Sequence, residues 1–257
     1  LMPRLTMKVA LAITFLFGAT TTAANSAEIV SFPKKEWSWQ GIFGTYDRSQ
    51  LQRGLQAYKS VCAACHGLKF IAFRDLIDLG YSAAEIKAFA KTIEVTNKEP
   101  NDEGEIFKRP ARAADYFPDP FPNKQAARAA NNGAYPPDLS LVVESRVGGA
   151  DYLHALLTGY TDPPKGVKLG DGMYYNKAYP GHQIAMPAPI MDDSVDYKDG
   201  TKPTVNQIAT DVTAFLAWAS EPNMEARKSM GIKVMLFLFA FLFVLIGMKR
   251  RTWSNVH

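Results

Sequence analysis

The stretch Val61-Cys62-Ala63-Ala64-Cys65-His66-Gly67 holds both cysteines of the chain in the order C-x-x-C-H. Two thiols one helical turn apart can each form a thioether to a haem vinyl group, and the adjacent histidine can bind the iron. This spacing is the attachment signal for a c-type haem, with Cys62, Cys65 and His66 in those three parts. A structural zinc half-site would need a second Cys/His pair, and His154, His182 and His257 form none. A thioredoxin-like dithiol does not call for a histidine at the next position and sits in a strand-to-helix context. With both cysteines used by the cofactor, no disulfide is available, and stability rests on the core and the haem.

Outward from the motif, the two ends differ in character from the middle. Arg4 and Lys8 precede the apolar run Val9 to Ala19, and small residues follow through Ala23, Ala24, Asn25, Ser26 and Ala27. This is the pattern of a secretory signal peptide cleaved after Ala27, since the run falls short of the ~20 residues of a spanning helix. Ile232 to Met248 is almost wholly apolar, with Lys233 able to snorkel to the headgroups, and Lys249, Arg250, Arg251 and Trp253 follow. A buried core helix rarely runs so far without a polar side chain, so this is read as a membrane anchor. The basic residues after it place the tail on the cytoplasmic side. The expected division is a signal peptide over 1–27, an exported mono-haem domain over 28–229, a transmembrane helix over 230–248 and a cytoplasmic tail over 249–257.

The 257 residues carry 29 Lys and Arg against 25 Asp and Glu, a formal net charge of +4. Six of the basic residues lie in the signal, the anchor and the tail, whereas every acidic residue lies between Glu28 and Glu225. Without those six, 23 basic residues face 25 acidic ones, a net of −2. The basic balance therefore belongs to the ends. It gives no reason to expect nucleic acid, and the mildly acidic domain suits a cationic partner.

Within the domain, Trp37, Trp39, Ile42, Phe43 and Tyr46 form an aromatic-rich entry segment, expected to pack into the core. Asp47 and Gln50 have capping-box spacing and open a helix on which Leu51, Leu55, Tyr58 and Cys62 share one face. Leu68 to Leu79 reads as helical turns ending at Gly80, and Ser82 with Glu85 opens a helix facing Ile86, Phe89, Ala90 and Ile93. Charges and prolines make Asn97 to Asn123 a long loop. Lys124 to Asn132 is an alanine-rich helix stopped by Gly133, and a helical stretch from Leu141 to Arg146 breaks at Gly148-Gly149. Asp151 is expected to cap a short helix carrying Tyr152, Leu153, Leu156 and Leu157. Pro163 to Pro189 shows little period; Thr204 with Gln207 opens a last helix bearing Ile208, Val212, Phe215, Leu216 and Trp218. With no alternating strand pattern, the fold class is mostly α: a c-type cytochrome haem domain with long irregular loops plus one C-terminal transmembrane helix.

An iron with one protein ligand is open to small molecules, and with two it is closed and passes electrons. Met186 sits in Ile184-Ala185-Met186-Pro187-Ala188-Pro189, where two prolines stiffen an extended loop that can hold one side chain in place. A thioether raises the potential of the iron it binds. Met173, Met191 and His182 are rival sixth ligands, and a methionine in an apolar segment also serves as core filling.

Cys62 to Leu68, the run Arg128 to Ser140, Leu156-Leu157-Thr158-Gly159-Tyr160, the Ile184-Ala185-Met186-Pro187 loop and the C-terminal anchor are collinear from Trp39 to Trp253. Together they resemble the cytochrome c1 family, bacterial type. The resemblance implies one covalent haem c in the haem subunit of the cytochrome bc1 complex, a quinol:cytochrome c oxidoreductase. Its implied partners are cytochrome b, a Rieske iron-sulfur protein as donor and a cytochrome c as acceptor. The chain would be single-pass in the inner membrane, haem domain periplasmic and C-terminus cytoplasmic. Carried over by residue, Cys62 and Cys65 bind the haem, His66 and Met186 are its axial ligands, and Arg146 and Tyr152 anchor a propionate. The Pro136-Pro137 turn would lie on the histidine side, where a backbone carbonyl takes the free His66 N–H. Some bacterial members carry a second cysteine pair that this chain lacks, leaving prolines and packing to hold the methionine loop.

Other readings are a free-standing anchored carrier, the haem subunit of an oxidase, or an open haem acting as peroxidase or gas binder. The interval from His66 to Met186 exceeds what a small carrier needs. Two acidic clusters are candidate docks for a basic cytochrome: Glu99 to Glu105, and Asp192-Asp193 with Asp196 and Asp199.

Overall fold

The computed structural model describes residues 30–255 apart from 98, so the signal peptide expected over 1–27 lies outside the described residues. Among the described residues six α-helices follow in order: α1 Arg48–Ser60, α2 Ala83–Lys91, α3 Lys124–Ala130, α4 Gly149–Thr158, α5 Val205–Ser220 and α6 Met224–Trp253. Two small antiparallel pairs accompany them, β1 Glu94–Thr96 with β2 Lys108–Pro110, and β3 Tyr174–Tyr175 with β4 Gln183–Ile184. The domain is mostly helical.

α5 is the centre: from Ile208 to Ala219 every residue is buried. It packs against α4 and crosses α1, whose inner face carries Leu51, Leu55 and Tyr58. The crossing is close at Gly54, where a Cβ would lie 2.2 Å from the Asp211 carbonyl oxygen and 2.5 Å from Phe215 Cβ. Only glycine lets the two backbones approach so far. Beside it, the fully buried Asp211 accepts from Arg53 Nε at 2.9 Å and Nη2 at 3.2 Å. Gln207 Nε2 donates to both Asp211 oxygens, at 2.9 and 3.0 Å. Gln207 therefore serves the buried carboxylate and not a capping box, and Thr204 caps α5 alone by accepting from Gln207 N. A buried carboxylate left short of donors costs more than half a cap.

Other expected termini hold in part. Ser82 and Glu85 form a reciprocal box, at 3.3 and 2.8 Å, whereas Asp47 caps α1 by accepting from Gln50 N. α1 ends at Ser60, because Val61 N turns back onto Ala57 and Tyr58 carbonyls; Cys62 lies in the 3₁₀ turn Cys62–Ala64 just beyond the helical face. Leu68 to Leu79 contains the 3₁₀ helix Phe73–Leu79, ended by Gly80 at φ 90°. The aromatic rings of Tyr58, Phe73 and Phe117 meet here, with Phe73 and Phe117 centroids 4.5 Å apart.

Four further expectations are corrected. The expected loop over 97–123 takes in β2 of a short hairpin, pinned where Arg109 forks onto Asp115 at 2.6 and 2.8 Å; three-residue strands are too short to show alternation. Residues 141–147 form successive turns and not a helix. Asp151 does not cap α4, whose N-cap is Gly148; its carboxylate instead accepts from Trp37 Nε1 at 2.8 Å and Lys35 N at 3.1 Å, tying the entry segment down. In that segment Trp37 and Tyr46 are buried and Trp37 stacks on Trp39 at 4.8 Å, but Ile42 and Phe43 point to solvent.

α6 is one continuous helix through both the polar lead and the apolar run. Apart from half-buried Ile232, each of its residues from 229 onward is exposed, as an apolar helix meant for lipid must be. Its first turn is fixed to the domain by Glu225, which accepts from Tyr46 N at 2.7 Å and Arg48 Nη2 at 2.6 Å.

Candidate functional site

α1 delivers the C-x-x-C-H turn. Cys65 N and His66 N both donate to the Cys62 carbonyl, at 3.1 and 2.9 Å, which holds the two thiols on one tight turn. Both are half-buried and free. Burial, with Cys65 nearby, pushes the Cys62 thiol up to about 12. A redox dithiol needs the opposite shift, toward thiolate, and burial of Cys62 works against it.

His66 is held at both ends. Tyr58 Oη donates to its carbonyl at 3.0 Å, and its Nδ1 lies 2.7 Å from the Pro137 carbonyl. A carbonyl only accepts, so Nδ1 carries the hydrogen and Nε2 keeps its lone pair. Burial lowers the imidazole pKa against the opposing pull of that carbonyl and of Asp138. The neutral ring is the form that binds a metal. The Pro137–Ser140 segment is stitched along the motif: Leu139 N to the Gly67 carbonyl at 2.9 Å, Lys69 N to Asp138 Oδ2 at 3.0 Å, Phe70 N to Ser140 Oγ at 3.1 Å.

Met186 lies just beyond β4, half-buried against the hydrophobic core together with Ile184. Tyr160 Oη donates to its carbonyl at 3.0 Å. Among the rivals, Met191 is 68% exposed, and His182 stacks on Tyr175 at 5.6 Å with its Nδ1 3.2 Å from the Asn176 carbonyl. Met173 is half-buried in the turn after Gly170.

Tyr152 is buried on α4, edge-on to Phe32 at 5.9 Å. Burial raises its pKa while the Arg146 charge opposes, and Tyr152 in turn adds to the rise that burial gives Tyr160. Arg146 itself is exposed at a cavity of about 350 Å³ shared with Trp37, Trp39 and Val143. The histidine group and the methionine group pack against one hydrophobic cluster.

This donor set fits a c-type haem: two thiols on one turn, an imidazole with Nε2 free, a thioether on a pinned loop, and a cation and phenol suited to carboxylates. Among the described residues no three His, Cys, Asp or Glu side chains converge to hold a bare metal ion. Sequence reasoning missed Tyr160 and Tyr58, whose phenols bond backbone carbonyls and leave no pattern. Asp138-Leu139-Ser140 carried a findable signal, since an Asp accepting from the N–H two residues on makes an Asx turn, here at 3.0 Å.

Fold and donor set define the class: a c-type cytochrome carried on one long apolar helix. The family model described as Cytochrome C1 family matches residues 37–256. The Rhodospirillum rubrum cytochrome c1 is 45% identical over 243 residues, covering 88% of this chain and 89% of that one. The Candida albicans cytochrome b-c1 complex catalytic subunit is 48% identical over 225 residues, covering 87% and 78%. The Bradyrhizobium diazoefficiens cytochrome b/c1 is 47% identical over 247 residues; these cover 88% of this chain but 36% of that protein, so the chain spans about a third of its length. The chain belongs to the cytochrome c1 family. It is a membrane-anchored electron-transport protein whose cofactor is a c-type haem.

Proposed function

We propose that this chain is the haem subunit of a quinol:cytochrome c oxidoreductase, taking single electrons from a Rieske iron-sulfur protein and giving them to a cytochrome c, with cytochrome b as its neighbour in the membrane. The haem supplies a one-electron iron couple. Cys62 and Cys65 would hold it by thioethers, and His66 Nε2 and Met186 Sδ would bind its iron. Arg146 and Tyr152 would stabilise a propionate by charge-assisted hydrogen bonds. The observation that carries the reading is the 2.7 Å bond from His66 Nδ1 to the Pro137 carbonyl, which fixes tautomer and ring orientation and makes Nε2 the better donor.

The division into signal peptide over 1–27, exported domain over 28–229, membrane helix over 230–248 and cytoplasmic tail over 249–257 belongs to the same proposal. It puts the haem domain on the periplasmic side. Of the two acidic clusters, Asp192 accepts from Val205 N at 2.7 Å and Asp199 pairs with Arg53 at 3.0 Å, so both are occupied in holding the fold. The exposed carboxylates Glu99, Asp102, Glu103 and Glu105 are the better dock for a basic acceptor.

The test is gentle solubilisation and purification through this chain, with assays for b-type haem, a Rieske signal and quinol-driven cytochrome c reduction. Co-purification of all three is expected. A haem protein that comes away alone and still exchanges electrons would make it an independent anchored carrier.

A further inference from the structure

The exposed pair Ile42 and Phe43, 68% and 83% accessible, stands on a loop built for rigidity. Thr45 N donates to the Ser38 carbonyl at 3.1 Å and Gln40 N to the Trp37 carbonyl at 3.0 Å, closing the loop at its base. At Gly44 a Cβ would lie 2.0 Å from the Gln40 carbonyl oxygen, so the two limbs are as close as glycine allows. Trp39 stacks on Trp37 and lies 5.4 Å from Tyr46, so the aromatic side of the loop belongs to the core and its tip does not. Two adjacent large apolar side chains on a closed loop make an exposed apolar tip, and what lies beside it decides whether it has a partner.

The membrane helix says where that tip lies. Lys228 Nζ donates to the Trp39 carbonyl at 2.5 Å and the Gly44 carbonyl at 3.0 Å, clasping both limbs of the loop to α6. Ile232, one turn further along the same helix face, is half-buried, whereas every other described residue from 229 to 255 is exposed. At ~1.5 Å per residue the clasp is only about 6 Å above Ile232, where the apolar run begins. That run, to Met248, is about 26 Å long at the same rise, short of a hydrocarbon core of ~30 Å. A short span draws its flanks into the interface, here the base of the domain and its loop.

We infer that the Ser38–Thr45 loop is a second membrane contact, inserting Ile42 and Phe43 at the headgroup–acyl boundary of the bilayer that α6 crosses. The clasp by Lys228 makes loop and helix one rigid foot, which fixes the tilt of the haem domain over the membrane. This rests on the reading of α6 as a membrane span, and the experiment separates the two.

Phe43→Cys, Val147→Cys and Phe239→Cys are each spin-labelled in the full chain with its haem attached, reconstituted in phosphatidylcholine–phosphatidylglycerol vesicles. Collision with oxygen is compared with collision with a water-soluble nickel chelate. Phe239 reports on the span, and Val147, 94% exposed, reports on solvent. The expected result is a label at 43 that favours oxygen over nickel as 239 does. A label at 43 as open to nickel as 147 would overturn the proposal, and so would one shielded from both probes, which would assign the tip to a protein partner. A nickel-accessible label at 239 would overturn the span itself, and the proposal with it. Intact haem spectra of the three proteins establish that each is folded.

Discussion

The phenol of Tyr160 donates to the carbonyl of Met186 across 3.0 Å, and burial keeps that phenol protonated far above neutral pH. The loop that presents the methionine is thereby tied to the end of α4, an element packed on the central helix. No disulfide is needed for this.

Tyr160→Phe removes the donor and keeps the ring. Loss of about 1 kcal/mol is expected, the ordinary worth of one hydrogen bond, since the part-buried carbonyl loses its donor. The greater effect is on the loop: in the reduced holoprotein carbon monoxide should bind where the unaltered protein excludes it. Denaturant titration and carbon monoxide spectra check both halves.

The α1–α5 crossing should be intolerant of a single methyl group. Gly54→Ala drives a Cβ into the Asp211 carbonyl and Phe215, and overpacking of this kind costs about 1–3 kcal/mol. Arg53→Leu acts at the same place by charge, leaving Asp211 buried without its cation, and about 3–5 kcal/mol is expected. Thermal unfolding of each holoprotein measures the loss.

Acid should loosen the β1–β2 hairpin through Asp115. The Arg109 fork, aided by Arg112 N–H and opposed by burial, holds this carboxyl at about 2, below its ordinary 3.8. A group depressed in the folded state contributes stability above its unfolded pKa and loses it as pH falls through the folded one. The loss therefore runs from about pH 4 to pH 2, and it is modest because solvent screens the pair. Asp115→Asn should flatten the stability profile in that window and leave the profile near neutrality parallel to that of the unaltered protein.

Charge at the 99–105 turn should govern encounter with a basic cytochrome. Glu103→Gln with Glu105→Gln is expected to lower the association rate several-fold at low salt, with little effect at high salt. Rates unchanged over the whole salt series would remove this turn as the dock. Asp199→Asn is a poor control, since it also weakens the Arg53 network.

The helices were legible where caps and apolar period agree, as at Ser82 with Glu85 and along Ile208 to Trp218. They were least legible where a side chain serves a distant partner. Gln207 and Asp151 have the spacing and type of capping residues, but Asp211 and Trp37 engage them instead, and no local pattern records that. Ile42 and Phe43 read as core by composition because sequence carries no sign of which limb of a loop faces inward. For the site, C-x-x-C-H states its own chemistry. The methionine is one among several by sequence, and the fold adds only that its loop is pinned by Tyr160 and packed on the core, while the carbonyl on His66 is that of Pro137.

The redox potential of the Met186→Leu holoprotein tests the central claim most directly. A potential well below that of the unaltered protein, with carbon monoxide now binding the reduced iron, is the predicted result, because the thioether that raised the potential and closed the haem is gone. An unaltered potential and spectrum would contradict the account and move the sixth ligand elsewhere.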